Sequence, residues 1–279
     1  MNSHIFINEI KNSQIFQSKN INFKNIKYIS YYHGREICLQ IKKNSWLSIK
    51  GAGWNLGPPF YYQIKEKNDP GVFGLLEYRN AKREHFVTNY LNKKFKDRFP
   101  ISLEVLRIKK DLDLIKTFKP ALLIRQLKTP YRLTDLILKN RRHAFNDLYY
   151  YFGKNNVKIF SSFLKKTLTT IISYHKLGYI HDNIDLGNLN VSGQLLDLEL
   201  FYIPGIKYPE RFYRANSNLK NRKEKEAIFY LEVMYKFSEI LNLKVSISQI
   251  AKNCLKFFPN KKSNLIFVKT IMKVAKLTS

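Results

Sequence analysis

The chain has 279 residues, 44% of them hydrophobic and 14% aromatic, which is enough apolar material for a real core and too much for a disordered tail. Its formal net charge of +28 favours anionic partners, but the Lys and Arg are spread among many Asn and Ile. That is the pattern of a solvated basic surface with A/T-rich codon usage, so nucleic acid is admitted as a partner and not favoured. Two cysteines, Cys38 and Cys254, exclude a disulfide framework and a cysteine zinc cluster, and the six scattered histidines form no His-x-x-x-His pair.

No stretch approaches the ~18 continuous apolar residues of a membrane span. Residues Met1 to Glu9 lack the apolar run of a secretory signal. A cytoplasmic protein is expected, with delivery as a secreted effector left open.

In chain order, residues 1–45 read as short strands and turns, with Arg35 to Ile41 the clearest strand. Trp46-Leu47-Ser48-Ile49-Lys50 alternates like a half-buried strand and runs into Gly51-Ala52-Gly53, where glycine lets backbone approach a phosphate closely. Trp54 to Phe60 and Asn68 to Gly71 read as loop and turn. A helix is predicted over 80–96, with Ala81, Phe86, Val87 and Leu91 for packing and Glu84 on the face that meets Lys50. Leu103 to Ile108 and Ala121 to Arg125 are further strands.

From residue 132 the pattern turns helical. Val157 to Lys176 carries an apolar stripe and stops at Gly178. Lys220 to Lys225 starts another helix marked by Ile228, Leu231 and Tyr235. Ser246 and Gln249 have capping-box spacing before a helix whose apolar face includes Cys254 as a buried structural thiol. Leu265 to Val274 forms the last helix. This order predicts an α+β, bilobal protein-kinase-like fold: a β-rich N-lobe with one helix over residues 1–128 and a mostly helical C-lobe over 129–279.

The densest chemistry lies in His181-Asp182-Asn183-Ile184-Asp185-Leu186-Gly187-Asn188, followed nine residues later by Asp197. An amide and a carboxylate on either side of the Ser192-Gly193 turn supply the oxygen ligands that a hard cation prefers, and protein kinases hold their metals with such a pair. The same residues also fit ordinary turns. A kinase-type site needs in addition a lysine for the phosphates and a helix-borne glutamate to hold it, for which Lys50 and Glu84 are the candidates.

These segments, in this order, resemble the selenoprotein O family of kinase-fold adenylyltransferases. Ile49-Lys50-Gly51-Ala52-Gly53 is similar to the family's Leu-Lys-Gly-Ser/Ala-Gly. Gly74, Arg79, Arg83 and Glu84 keep the register of its Gly-Arg…Arg-Glu segment, and Arg125 and Arg132 keep its seven-residue arginine spacing. His181, Asn188 and Asp197 match the spacing of its metal-binding loop. The resemblance spans residues 46 to about 201.

It implies ATP and Mg²⁺ (or Mn²⁺) as cofactors. Lys50, Glu84, Gly51, Gly53, Arg125 and Arg132 would serve the nucleotide, and Asn188 and Asp197 would ligate the metal. The family's arginines grip an ATP held in reverse, so that AMP is transferred to a hydroxyl of a protein or peptide acceptor and pyrophosphate leaves.

The departures are specific. The family's acidic residue before the metal-binding Asn is Gly187 here, and the usual kinase base position holds Asn183, which accepts no proton. Asp185, with Asp182 behind it, is the remaining candidate base. The glycine after the second metal ligand is Leu198, and the family's C-terminal redox pair is absent from this sequence. Rival expectations are a conventional phosphotransferase, a glutamylase on the same scaffold, and an inactive pseudokinase acting as a basic protein- or RNA-binding module.

Overall fold

The computed structural model describes residues 13–19, 26–29, 36–51, 76–108, 119–206, 218–258 and 265–276. Met1 to Glu9, Gly53, Gly74, and the loops read at 54–60 and 68–71 lie outside them. The chain divides into two compact units, Met1–Pro130 and Tyr131–Ser279.

The first unit is built on a five-stranded sheet in the order β1-β2-β3-β5-β4. Its strands are β1 (Ile26–Ile29), β2 (Glu36–Lys42), β3 (Ser45–Lys50), β4 (Ile101–Arg107) and β5 (Ala121–Leu127), and every pairing is antiparallel. Strands β2 and β3 are joined by a tight turn in which Asn44 takes φ 60°, a left-handed conformation that Asn tolerates. That turn fixes the register that sets Glu36 opposite Lys50. Strand β3 lies between β2 and β5 and is buried along its whole length. A short helix α1 (Gln14–Lys19) occupies a stretch whose composition reads as strand and turn.

Helix α2 (Tyr78–Lys94) packs on the sheet through Asn80, Ala81, Glu84, Val87, Thr88 and Leu91. Those positions recur at helical spacing, and Phe86 falls off that stripe. The expectation that Phe86 packs inward is therefore corrected: it is 52% exposed.

The second unit is helical: α3 (Arg141–Phe152), α4 (Asn156–Lys176), α5 (Leu219–Ile240), α6 (Ile247–Leu255) and α7 (Ile266–Lys276). The local signals act as their chemistry requires. The Asn155 side chain caps α4 by accepting from Lys158 N, and Gly178 follows its end at φ 79°. Asn218 caps α5, and Ser246 and Gln249 make both bonds of a capping box on α6. Phe163 of α4 meets Phe237 of α5 with ring centroids 4.7 Å apart, and Cys254 is fully buried. Between α4 and α5 the chain forms a bridged loop instead of regular strands, with Leu189 against Leu195 and Ile180 against Tyr202.

An antiparallel sheet carrying one packed helix, followed by a helical unit with an irregular polar loop after α4, is an α+β architecture in the element order expected of a protein-kinase-like fold. Among the described residues no helix is long and apolar enough to cross a membrane.

Candidate active site

In the first unit, β3 delivers Lys50 and α2 delivers Glu84 to one buried point. The Lys50 ammonium donates to Glu84 Oε2 at 2.6 Å, with the lysine 3% exposed and the glutamate fully enclosed. Desolvated charges persist only when paired. The second oxygen of Glu84 is also used. Arg125 of β5 donates from Nη1 to Glu84 Oε1 at 2.7 Å and from Nη2 to Glu36 Oε1 at 2.5 Å. The Ser48 hydroxyl donates to the same Glu36 oxygen.

Two sequence expectations change here. Arg125, read as a phosphate clamp, is 1% exposed with both terminal nitrogens on buried carboxylates. A phosphate would have to displace one of them. Gly51, read as a phosphate-approach glycine, is accounted for by its own chain. It takes φ 97°, and an added Cβ would lie 2.5 Å from the Ala121 carbonyl oxygen and 2.9 Å from Leu76 Cβ.

In the second unit, the loop after α4 is built from backbone hydrogen bonds that bring Asn188 and Asp197 to neighbouring positions. Leu196 N donates to Asn188 O at 2.8 Å, and Leu189 bridges Leu195. The turn between them closes on Asn190, whose Oδ1 accepts from Ser192 N and Gln194 N, and on Gly193 at φ 81°. Asn188 is 5% exposed. Its amide nitrogen donates to Asn183 O at 3.0 Å and approaches Asp185 Oδ2 at 3.4 Å. That anchoring fixes which end of the amide is the nitrogen and leaves Oδ1 as the ligand end. Asp197 is half-buried in a left-handed conformation, φ 57°, at the start of the 3₁₀ turn Leu198–Leu200, with Glu199 just beyond it. An amide oxygen and a carboxylate are hard donors suited to Mg²⁺ or Mn²⁺.

The two candidate bases stand in different settings. Asp182, at φ 68°, is gripped by Arg222 of α5 through Nε at 3.2 Å and Nη2 at 2.8 Å. Asp185 is an exposed residue whose carboxyl turns back into the loop, accepting from Asn188 N at 2.8 Å. Loss of water around that carboxyl raises its pKa, with Asp197 adding to the rise. The hydrogen bonds from Asn188 and Gly187 and the charge of His181 oppose it. Arg132 donates from Nη1 to Gly187 O at 2.6 Å, so its guanidinium is seated on the loop beside Asn188.

Sequence reasoning missed three supports. Glu226 of α5 is 2% exposed and accepts from His181 N at 2.9 Å, Asp182 N at 3.2 Å and the Tyr174 hydroxyl, with His175 Nε2 at 3.2 Å. Burial pushes its carboxyl up, but the bonds and charges of His175, His181 and Tyr174 outweigh that and hold its pKa below the usual value. The signal was a lone acid on the stripe with Tyr230 and Phe237. Glu36, a carboxylate opening an apolar strand, was the second. Arg222, one helical turn before Glu226, was the third. His181 acts as structural mortar: it is buried, with Nε2 donating to Leu196 O at 2.8 Å.

No family model matches this chain, and no curated protein matches it. Among solved structures, 127 chains match. One is the crystal structure of an Stt7 homolog from Micromonas algae soaked with ATP, which is 10% identical, covers 74% of this chain and 68% of its own, and superposes with a TM-score of 0.44.

Proposed function

We propose that this chain is an ATP-dependent transferase that uses a divalent cation and a hydroxyl acceptor on a protein or peptide. The observation that carries this reading is the buried Lys50–Glu84 pair, in which a charged ammonium is built into the sheet of the first unit at 2.6 Å from its counter-ion. Burying such a pair costs desolvation, and a packed apolar pair would serve stability as well. Its presence is explained by a task for the ammonium, which is neutralising nucleotide phosphate.

In the second unit, Asn188 and Asp197 would hold Mg²⁺ or Mn²⁺. Bound there, the metal supplies charge neutralisation for the phosphates. The other side chains divide the work. Asp185 takes the acceptor proton: it is an exposed residue of the loop, and the loss of water around its carboxyl raises its pKa and makes it a stronger base than an ordinary carboxylate. Asp182 is committed to Arg222, so its role is to shape the loop. Arg132 secures the Gly187 carbonyl next to the amide ligand.

The transferred group is read as AMP, on the ordered resemblance to the selenoprotein O family. A second reading, transfer of the γ-phosphoryl group, is favoured by one observation: Arg125, half of the arginine pair that would grip a reversed ATP, is taken up by Glu84 and Glu36. Incubation of the protein with α-labelled and γ-labelled ATP in parallel separates them. Protein-bound label from the α position is expected for AMP transfer, label from the γ position alone establishes phosphotransfer, and label from neither overturns the transferase reading.

A further inference from the structure

We propose that Arg125 is the positioning residue of the Lys50–Glu84 pair, holding Glu84 so that a single carboxylate oxygen is presented to Lys50. The inference deepens the functional reading above, since it rests on Lys50 meeting nucleotide phosphate.

The geometry begins in the strands. Arg125 is directly opposite Ser48 on β3 and Ser102 on β4. Both flanking positions are therefore small and buried, at 0% and 5% exposure, which gives a long side chain lateral room inside the sheet layer. The guanidinium fills that room and spans two acceptors, Glu84 Oε1 and Glu36 Oε1. A planar fork can hold two carboxylates at a fixed separation, whereas an ammonium is a point charge. Charge then alternates across four elements: Glu36 of β2, Arg125 of β5, Glu84 of α2 and Lys50 of β3. Each charge of the chain touches an opposite one, which is the condition under which buried ions are tolerated.

A carboxylate with one cationic partner is free to turn both oxygens to it. Arg125 removes that freedom by occupying Oε1, so Glu84 meets Lys50 through Oε2. Glu84 also sits midway along α2, so the same bond ties the helix to the centre of the sheet from a second direction. The lysine is held in place by a glutamate that is itself held.

The test is the charge-matched variant Glu36→Gln/Arg125→Met, which removes one anion and one cation together and leaves the Lys50–Glu84 contact in place. The expected result is a KM for ATP raised about tenfold, the scale seen when a group that orients a ligand-binding residue is lost, with turnover per folded molecule changed far less. An unfolding midpoint that drops while KM stays at the wild-type value would mean that Arg125 serves stability only, and would overturn the proposal. Should that variant not fold, Arg125→Lys decides. A lysine cannot bridge both carboxylates, so KM must rise, and an unchanged KM overturns the proposal.

Failure of the functional reading is separable. If the wild-type protein neither binds nor turns over ATP, the readout becomes the Lys50 ammonium in nucleotide-free protein carrying ¹⁵N-lysine. A signal protected from solvent exchange in the wild type and lost in the charge-matched variant sustains the positioning role, and a signal retained in both sinks it.

Discussion

Lys50 and Glu84 make the sharpest energetic prediction, because neither can be judged alone. Replacing Glu84 by Gln leaves Lys50, Arg125 and Glu36 with one uncompensated positive charge in a site where all four side chains are at most 3% exposed. Replacing Lys50 by Met leaves Glu84, Glu36 and Arg125 with one uncompensated negative charge. Breaking a buried pair from one side costs about 3–5 kcal/mol. The double variant Lys50→Met/Glu84→Gln removes one charge of each sign and keeps the Glu36–Arg125 pair. It should therefore be more stable than either single variant, with a coupling of roughly 2–5 kcal/mol in a double-mutant cycle.

The assay is urea unfolding followed by tryptophan fluorescence. Trp46 lies buried on β3, so its signal reports the unit that contains the cluster. With a slope of about 1.5–2 kcal/mol per molar urea, each single substitution lowers the midpoint by roughly 2 M, and the double recovers much of that. Costs that simply add, to within about 0.5 kcal/mol, would show that the four charges do not act as one balanced cluster and would refute the reasoning.

Three further outcomes follow from the geometry. Glu226→Gln should lose about 2–3 kcal/mol at neutral pH, because a charged acceptor of several buried donors is replaced by an amide that presents a donor to some of them. The folded-state pKa of Glu226 lies below its ordinary 4.5, so its contribution is complete above that pH and fades as pH falls through the folded value. Acid titration of helix content should therefore show the gap between wild type and variant starting to close below about pH 4.5; a constant gap down to the acid transition counts against it. Gly51→Ala should destabilise the first unit by at least about 2 kcal/mol, since a left-handed residue gains a Cβ that meets the Ala121 carbonyl oxygen; an unchanged tryptophan-monitored midpoint would contradict this. Asn188→Ala and Asp197→Ala should each abolish the metal-dependent part of thermal stabilisation by ATP, which for ligand at 100 times its dissociation constant amounts to about 2.7 kcal/mol in the unaltered protein; stabilisation that survives both changes would remove these residues from the metal role.

Element order was legible because hydrophobic period and caps act locally. The capping box at Ser246, the stop at Gly178 and the apolar stripe of α4 each follow from a few neighbouring residues, and the structure has them all. The Lys50–Glu84 meeting was legible for a related reason, since a strand-end lysine and an inward-facing helix glutamate leave few other ways to bury both charges. What the sequence concealed was sharing. Arg125, read for its spacing from Arg132, faces Glu36 and Glu84 across the sheet, and that depends on strand order, which no single segment encodes. Gly51 was read toward a ligand although its nearest constraint is Ala121, seventy positions on in the chain. Phe86 was placed inward by its hydrophobicity, whereas the buried stripe runs through Glu84 because an ion pair waits there.

Helix α5 organises the start of the polar loop of the second unit and grips one of the two candidate bases. Arg222 and Glu226 are spaced one turn apart, so they project from the same face. Arg222 takes the Asp182 carboxylate through two nitrogens, while Glu226 takes the backbone N–H groups of His181 and Asp182. One helix thus fixes both the main chain and the side chain at the start of the loop, and Asp182 can stay in its left-handed conformation because three bonds hold it there. A residue bound in this way is poorly placed to accept a proton and swing away. Asp185 is tied to the loop through Asn188 and Gly187 and, among the described residues, carries no side-chain grip from a cation like that of Arg222 on Asp182. On the proposed function, this asymmetry assigns proton transfer to Asp185 and loop geometry to Asp182. Asp185→Asn should then lower turnover with little change in stability, whereas Asp182→Asn should weaken the Arg222 contact and lower both together.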